Sequence, residues 1–378
     1  MIIWVVIMKI QKERLLLALK LTLLIGTAVF CVIRTDDVKS EVSAAAQRCI
    51  YVLIPSLYAM LAVTSLITAC GITGHLPKPA AAVGKALFGM TPHETSAFIL
   101  GMFAGYPVGT RMLVSGGSGK RRAELLSGVC FGAGPAFIYG CISGELYGSQ
   151  TAGRIIILSA VGANLLLASV LSFMLRDTPP ENNVRPQLHL TGIMLSDAVK
   201  NSGKALGMLC LAVMAFSVPA AVLECADAAS AVGKRFSQIA AISSDDAEVL
   251  FRSVLDITSL GDLSHGNYRL LPWICALVSF GGICVIFQIS AVTSGKISLM
   301  PLVLTRLAAA VLSFFLCRML MTFMLRDEVI SASTAEIRSF RSASPIPSLL
   351  LIVMTAMVIS ASHRRITGGD TNVRKNYR

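Results

Sequence analysis

Long unbroken apolar stretches constrain this chain more than anything else in it. They fall near residues 15–33, 49–71, 94–114, 124–148, 153–175, 203–225, 271–292, 298–325 and 345–361. Each approaches the roughly 20 residues a helix needs to cross about 30 Å of hydrocarbon. None alternates polar and apolar residues as a barrel strand would, so the runs predict helices. Only 14% of the residues are charged, against about 25% in a soluble domain. That is too little charge to clothe a water-facing surface. The expected fold class is an all-α polytopic membrane protein of about eight transmembrane helices.

Lys and Arg number 33 against 21 Asp and Glu, a net charge of +12. The basic residues sit at the ends of apolar runs, where they set topology by the positive-inside rule. A nucleic acid is therefore not an expected partner, whereas the lipid bilayer is. The same charge can also draw an anionic solute toward the mouth of a path. The ten cysteines form no CxxC pair and mostly lie within apolar runs, where they read as small buried hydrophobes. The five histidines are scattered. No metal site and no cofactor are expected. Lys9, Lys12 and Arg14 precede the first run, which reads as a retained signal anchor.

The chain divides into a tail and anchor (1–44), a first half (45–176), a polar linker (177–202) with Pro179, Pro180 and Pro186, a second half (203–325), and a terminal apolar run with a basic tail (326–378). The halves share strings in the same order. Leu87-Phe88 and Glu94-Thr95-Ser96 match Leu250-Phe251 and Asp256-Ile257-Thr258-Ser259. Phe103–Val108 matches Phe280–Val285, and Leu171–Met174 matches Leu312–Phe315. Four such matches suggest an internal duplication, and duplicated halves with Gly/Pro-interrupted segments point to a transporter. Placing the N-terminus, the Lys120–Arg122 loop and the 176–204 loop in the cytoplasm makes 94–114 a re-entrant hairpin. The second half then starts in the opposite orientation, as an inverted repeat requires.

Three segments carry the expected site. In the first, Gly105, Tyr106, Pro107 and Gly109 interrupt a run, with Arg111 close by. Gly101, Gly105 and Gly109, spaced by four, read either as a helix-packing face or as a break whose freed amides face a cavity. Gly134 and Pro135 interrupt the second segment, where a half-helix N-terminus could face an anion or the chain could merely kink. In the third, Gly281-Gly282 permits a tight turn, and Gln288 is a lone amide in apolar surroundings. Thr95, Ser96, Thr258 and Ser259 offer hydrogen bonds. The ionisable residues Lys20, Glu94, Glu145, Asp256, Asp262 and Arg306 lie near or within apolar runs, where charge is costly and faces a path or a partner. Arg306 has two readings, an ion pair with Glu94 or Asp256 and contact with the solute.

Enzyme-like strings fail on inspection. Ser115–Lys120 lacks the first Gly of a phosphate-binding loop, since position 114 is Val, and Arg121 stands where Ser or Thr should bind magnesium. Gly116–Gly119 has no obvious paired intramembrane His, and Leu260-Gly261-Asp262 has Ser259 in place of the first Gly of an aspartyl-protease motif and no YD-type partner aspartate in an apolar run. No catalytic residue is expected.

Gly105-Tyr106-Pro107-Val108-Gly109, the basic loop into Glu124-Leu125-Leu126, and Cys130 through Ile138 resemble the YlbJ-type sporulation integral membrane proteins, which carry the nucleoside-recognition Gate domain. Asp256-Ile257-Thr258 and Ser279–Gly282 resemble their second-half motifs, and the likeness covers about residues 45–325. The resemblance implies a fold related to concentrative nucleoside transporters, with two re-entrant or interrupted hairpins. It further implies a multi-pass location in the cell membrane, with the outer forespore membrane as the site in a sporulating cell, and movement of a small organic anion such as dipicolinic acid. A homo-oligomer or sporulation membrane partners are compatible with it. The competing expectations are a nucleoside-type permease and a non-transporting scaffold or gate subunit.

Overall fold

The computed structural model describes residues 2–72, 76–116, 118–176, 178, 191–225, 228–240, 242–263 and 266–325. The run 345–361, the basic tail and most of the linker lie outside them. Every element among the described residues is helical. Four helices are long and apolar enough to cross a membrane, and a fifth candidate is the pair 17–33 and 35–53, bent by 96°. By length and composition the chain is a multi-pass membrane protein.

The first half opens with α1 (Ile2–Ile33) and the polar α2 (Thr35–Arg48). A π-helical turn, Cys49–Leu53, leads from α2 into α3 (Ile54–Ala69). The amphipathic α4 (Lys78–Phe88) follows. Next comes a helical hairpin of α5 (Pro92–Ala104) and α6 (Tyr106–Ser115). Its arms are so close that a Cβ on Gly101 would lie 3.1 Å from Gly109 Cα. Gly105 turns the tip at φ 100°, a value that disfavours any side chain. α7 (Lys120–Ser127) then breaks off. The chain resumes at α8 (Pro135–Phe137), which widens into π-helical turns over Ile138–Tyr147, and α9 (Gln150–Leu175) closes the half.

The second half repeats this order. A long helix, α10 (Gly192–Cys225), is followed by the amphipathic α11 (Ala228–Ala240). α12 (Ser244–Leu255) and the 3-10 turn Ile257–Asp262 form a shorter hairpin with Asp256 at its tip. α13 (Leu271–Phe280) and α14 (Ile283–Thr293) are one 23-residue span interrupted at Gly281-Gly282. α15 (Met300–Met324) ends the half.

Matching elements pack against each other in opposite directions. Along α3 and α10, Cys49 Sγ donates toward Cys210 O at 3.8 Å, while Ser202 Oγ meets Ser65 Oγ at 3.0 Å. Along α9 and α15, a Cβ on Gly162 would lie 3.2 Å from Leu316 Cδ1, while Arg306 reaches Asn164 at 2.7 Å.

Two expectations change here. The string matches pair the wrong elements. By order, the tip Gly105–Pro107 corresponds to Asp256–Thr258, and the break before Pro135 to Gly281-Gly282. Short apolar strings recur by composition alone, whereas hairpin, interrupted span and long helix recur as structure. The polar linker also ends earlier than its composition suggests, because α10 begins at Gly192.

A buried ion pair ties one end of the bundle together, hereafter the near end. Arg122 holds Glu94 with two bonds, of 2.8 and 2.7 Å, and both side chains are about 3% exposed or less. The guanidinium also donates to Leu175 O, Thr178 O and Gly89 O. Glu94 completes a capping box with Thr91 at the start of α5. One side chain thus joins the ends of α4, α5, α7 and α9. Glu94→Gln strands a buried guanidinium, at a cost of about 3–5 kcal/mol. The expected readout is a clear drop in the unfolding temperature of the purified protein in detergent. An unchanged midpoint would mean the pair carries no such burden.

Candidate functional site

Four interruptions of helix meet at the middle of the bundle. In each half the break packs on the tip of its own hairpin. A Cβ on Gly134 would lie 3.3 Å from Phe103 O and 3.5 Å from Gly105 N. One on Gly282 would lie 3.2 Å from Ile257 N and 3.3 Å from Leu255 O. The halves also lock across. Tyr106 Oη donates to Val278 O at 3.0 Å, and its ring lies 4.7 Å from that of Phe131. Breaking a helix in an apolar interior leaves carbonyls unbonded, and side chains must satisfy them. Asn164 Nδ2 donates to Phe131 O at 2.8 Å, and Arg306 donates to Ser279 O at 3.1 Å and to Asn164 Oδ1 at 2.7 Å. Arg306 also stacks 4.7 Å above the Phe131 ring.

Three cavities lie in line through this region. The central one, about 50 Å³, is lined by Gly105–Pro107, Gly134, Asp256–Thr258, Val285 and Gln288, with α3 and α10 closing its side. At the near end it adjoins a vestibule of about 530 Å³ bearing Thr64, Ser65, Thr68, Arg111, Asn201 and Lys204, with Pro107 and Gln288 shared. Toward the far end a pocket of about 80 Å³ is bounded by Arg48, Glu145, Thr258 and Asp262. Residues of α3 and the π turn mark the route. Ala69 to Leu61 face the vestibule, Leu61 to Leu53 the centre, and Leu53 with Arg48 the far pocket. At 1.5 Å per residue that stretch is about 30 Å long, the thickness of a hydrocarbon core.

The ends of the route differ. The vestibule is wide and carries two cationic side chains, Arg111 and Lys204, on a mostly apolar lining. The far pocket is crossed by Arg48 and Asp262, paired at 2.7 Å. The centre, at about 50 Å³, is the smallest of the three.

The expected residues separate into two groups. Gly105, Tyr106, Pro107, Gly134, Asp256, Thr258 and Gln288 line the centre, and Arg111 with Gln288 lines the vestibule. The others serve the frame. Thr95 Oγ1 bonds Thr91 O, and Ser96 Oγ bonds Pro92 O, both inside the first turn of α5. Gly109 packs on the break before Pro135, since its Cβ would stand 2.1 Å from Cys130 O. Pro135 starts α8. Gly281 lies under Phe131, and Ser259 is buried in the 3-10 turn. Arg306 pairs with neither Glu94 nor Asp256. It is fully buried, with its two terminal nitrogens held by the Ser279 carbonyl and the Asn164 amide oxygen, because the carbonyl freed at the Gly281-Gly282 break needs a donor there.

The sequence reading missed Arg48, Asn164, Asn201, Lys204 and the hydroxyl stripe Thr64, Ser65 and Thr68. Asn164 carried the same signal as Gln288, a lone amide in an apolar run. Lys204 sat at the start of a run and looked like a topology signal. Comparison with protein-family models, curated proteins and solved structures finds no match for this chain.

A membrane-impermeant maleimide should react with cysteines placed at Ser65, Arg111 and Lys204 in a cysteine-free background. In the native protein, Cys130, Cys275 and Cys317, which expose no surface, should stay unmodified under the same conditions. Equal rates at both sets of positions would mean that no vestibule is set apart from the core.

Proposed function

We propose that this chain is a membrane transporter that moves a small organic anion by alternating access. The observation that carries the reading is the line of three cavities meeting at four helix interruptions. Non-helical backbone at membrane depth is tolerated where it is held by protein or lines an aqueous path, and here it is held on one side and faces cavities on the other. Repeated halves packed head to tail, with a central site at their interface, are the usual build of such carriers.

In this reading α1, α3, α7 with α8, α9, α10, α13 with α14, and α15 cross the bilayer. The run 345–361 would be the eighth crossing. The hairpins α5–α6 and α12 with its 3-10 turn enter from opposite sides and return. The near end gathers Lys78, Lys85, Lys120, Arg121, Lys200 and Lys296, and so faces the cytoplasm.

Three features favour an anion. Arg111 and Lys204 charge the vestibule. The N-terminal ends of α6 and α8, at Tyr106 and Gly134, open on the centre with partial positive charge. The Gate-domain resemblance points to a small planar dicarboxylate and to spore formation, with dipicolinate as the solute to try first.

The Arg48–Asp262 pair would close the far mouth while the vestibule is open. Proteoliposomes carrying the purified protein should take up labelled dipicolinate, saturably, above protein-free vesicles. Absence of uptake for dipicolinate, related dicarboxylates and nucleosides alike would sink the reading and leave a scaffold. Partly exposed ion pairs are worth up to about 1 kcal/mol, so Arg48→Ala or Asp262→Ala should shift opening of that mouth about two- to fivefold. The measurement is dipicolinate efflux from preloaded vesicles, which should quicken in both variants. A slower efflux in both would exclude the pair as a closing contact.

A further inference from the structure

We infer that Asp256 carries a proton across with the solute, so that the anion moves only in company with a proton. The inference rests on the transport reading above and deepens it.

Asp256 stands at the tip of the second hairpin, 7% exposed, on the wall of the central cavity. Its carboxylate accepts from Thr258 N at 3.2 Å and from Thr258 Oγ1. Among the described residues no Lys or Arg stands within ion-pair distance of it. The groups that face it are few. Arg48 and Asp262 lie toward the far end and are paired with each other. Cys49 faces it from the π turn, Tyr106 from α6 and Cys284 from α14. The Tyr106 hydroxyl is already donated to Val278 O. Arg306 is held by Ser279 O and Asn164 and does not line the cavity.

An anion drawn into the vestibule by Arg111 and Lys204 must therefore pass a buried carboxylate that has no cation beside it. Two like charges about 4 Å apart at an effective dielectric constant near 20 disfavour that contact by about three powers of ten. A proton on Asp256 removes the repulsion and turns the group from an acceptor into a donor that can bond the solute's oxygen. Thr258 serves both states, because its hydroxyl can donate to the carboxylate or accept from the acid. Gln288, which also lines the central cavity, adds an amide.

The exchange balances simply. Asp256 carboxylate takes a proton from hydronium on the loading side, leaving water. The neutral acid holds the anion while the site changes sides. On release, the proton passes from the acid to water. Thr258 lines both the central cavity and the far pocket, so the Asp256–Thr258 pair reaches water on either side in turn. Charge segregation along the route thus has a use. The vestibule's cations gather the anion, and the carboxylate at the waist admits it only with its proton.

The test measures protons and solute together. Vesicles containing a trapped pH dye and the purified protein are given labelled dipicolinate, with isophthalate in parallel. In the native protein each anion taken up should bring acid inside, and an imposed inward proton gradient should raise initial uptake about tenfold or more. Asp256→Asn should carry no proton per anion moved, and its uptake should not respond to the gradient. Asp256→Glu should restore both responses. Native uptake that brings no protons, or proton movement that survives in Asp256→Asn, overturns the inference and leaves the transport reading standing. Should Asp256→Asn fail to reach the membrane, the native proton-to-anion ratio and the Asp256→Glu response decide alone. No uptake of any anion by the native protein removes both together.

Discussion

Backbone that leaves the helix in the middle of an apolar bundle must find hydrogen bonds there, and the rest of this structure follows from how it does so. These groups cannot be left unpaired, since each unbonded group in hydrocarbon costs several kcal/mol. The chain answers with Arg306, Asn164 and Tyr106, which reach the carbonyls of Ser279, Phe131 and Val278 across elements and between halves. The Arg306 guanidinium needs no carboxylate of its own. A peptide carbonyl, the Asn164 amide oxygen and the face of Phe131 share its charge. Because these clamps consume one side of each interruption, only the other side is free to face a cavity. That division explains why Gly105, Gly134 and Asp256 border open space while Gly109 and Gly281 do not.

Close approach is the second requirement. The first hairpin can lie on the first break only because Gly101 and Gly109 present no side chain to the Cys130 carbonyl. The three glycines spaced by four residues are open to two interpretations, and the structure uses both. Gly101 and Gly109 pack, whereas Gly105 turns. The second half reaches the same geometry by different means. Its tip is the extended Asp256, whose carboxylate caps the following 3-10 turn, and its break is a pair of left-handed glycines. The two halves share architecture with little shared chemistry. This asymmetry puts one carboxylate, and no counterpart, at the waist of the route.

Charge is sorted along the axis. Basic residues crowd the near end and its vestibule. The far end mixes signs, and there Arg48 pairs with Asp262 and Arg252 with Glu41. Glu94 and Arg122 fasten the near end permanently, being bidentate, capped and almost wholly buried. The Arg48–Asp262 contact is partly open to solvent and joins elements of different halves. The two ends are thus fastened unequally, one by a buried pair and the other by a partly exposed one.

The amino-acid sequence by itself determined that this chain is helical and lipid-embedded, because runs of about 20 apolar residues leave no other stable disposition. It also located the interruptions, since Gly and Pro inside such runs cannot continue a regular helix. Tertiary structure alone decided what each polar residue is for. Arg306 and Gln288 look alike from the sequence, each a lone polar group in an apolar run. One is consumed by backbone freed on another helix, and the other borders the cavity. Likewise, nothing local told Glu94 to choose Arg122, or Arg48 to meet Asp262 across 214 residues of chain. Hydrophobic pattern is a property of neighbours along the chain, whereas the satisfaction of a buried polar group is a property of whatever the fold brings within hydrogen-bond reach.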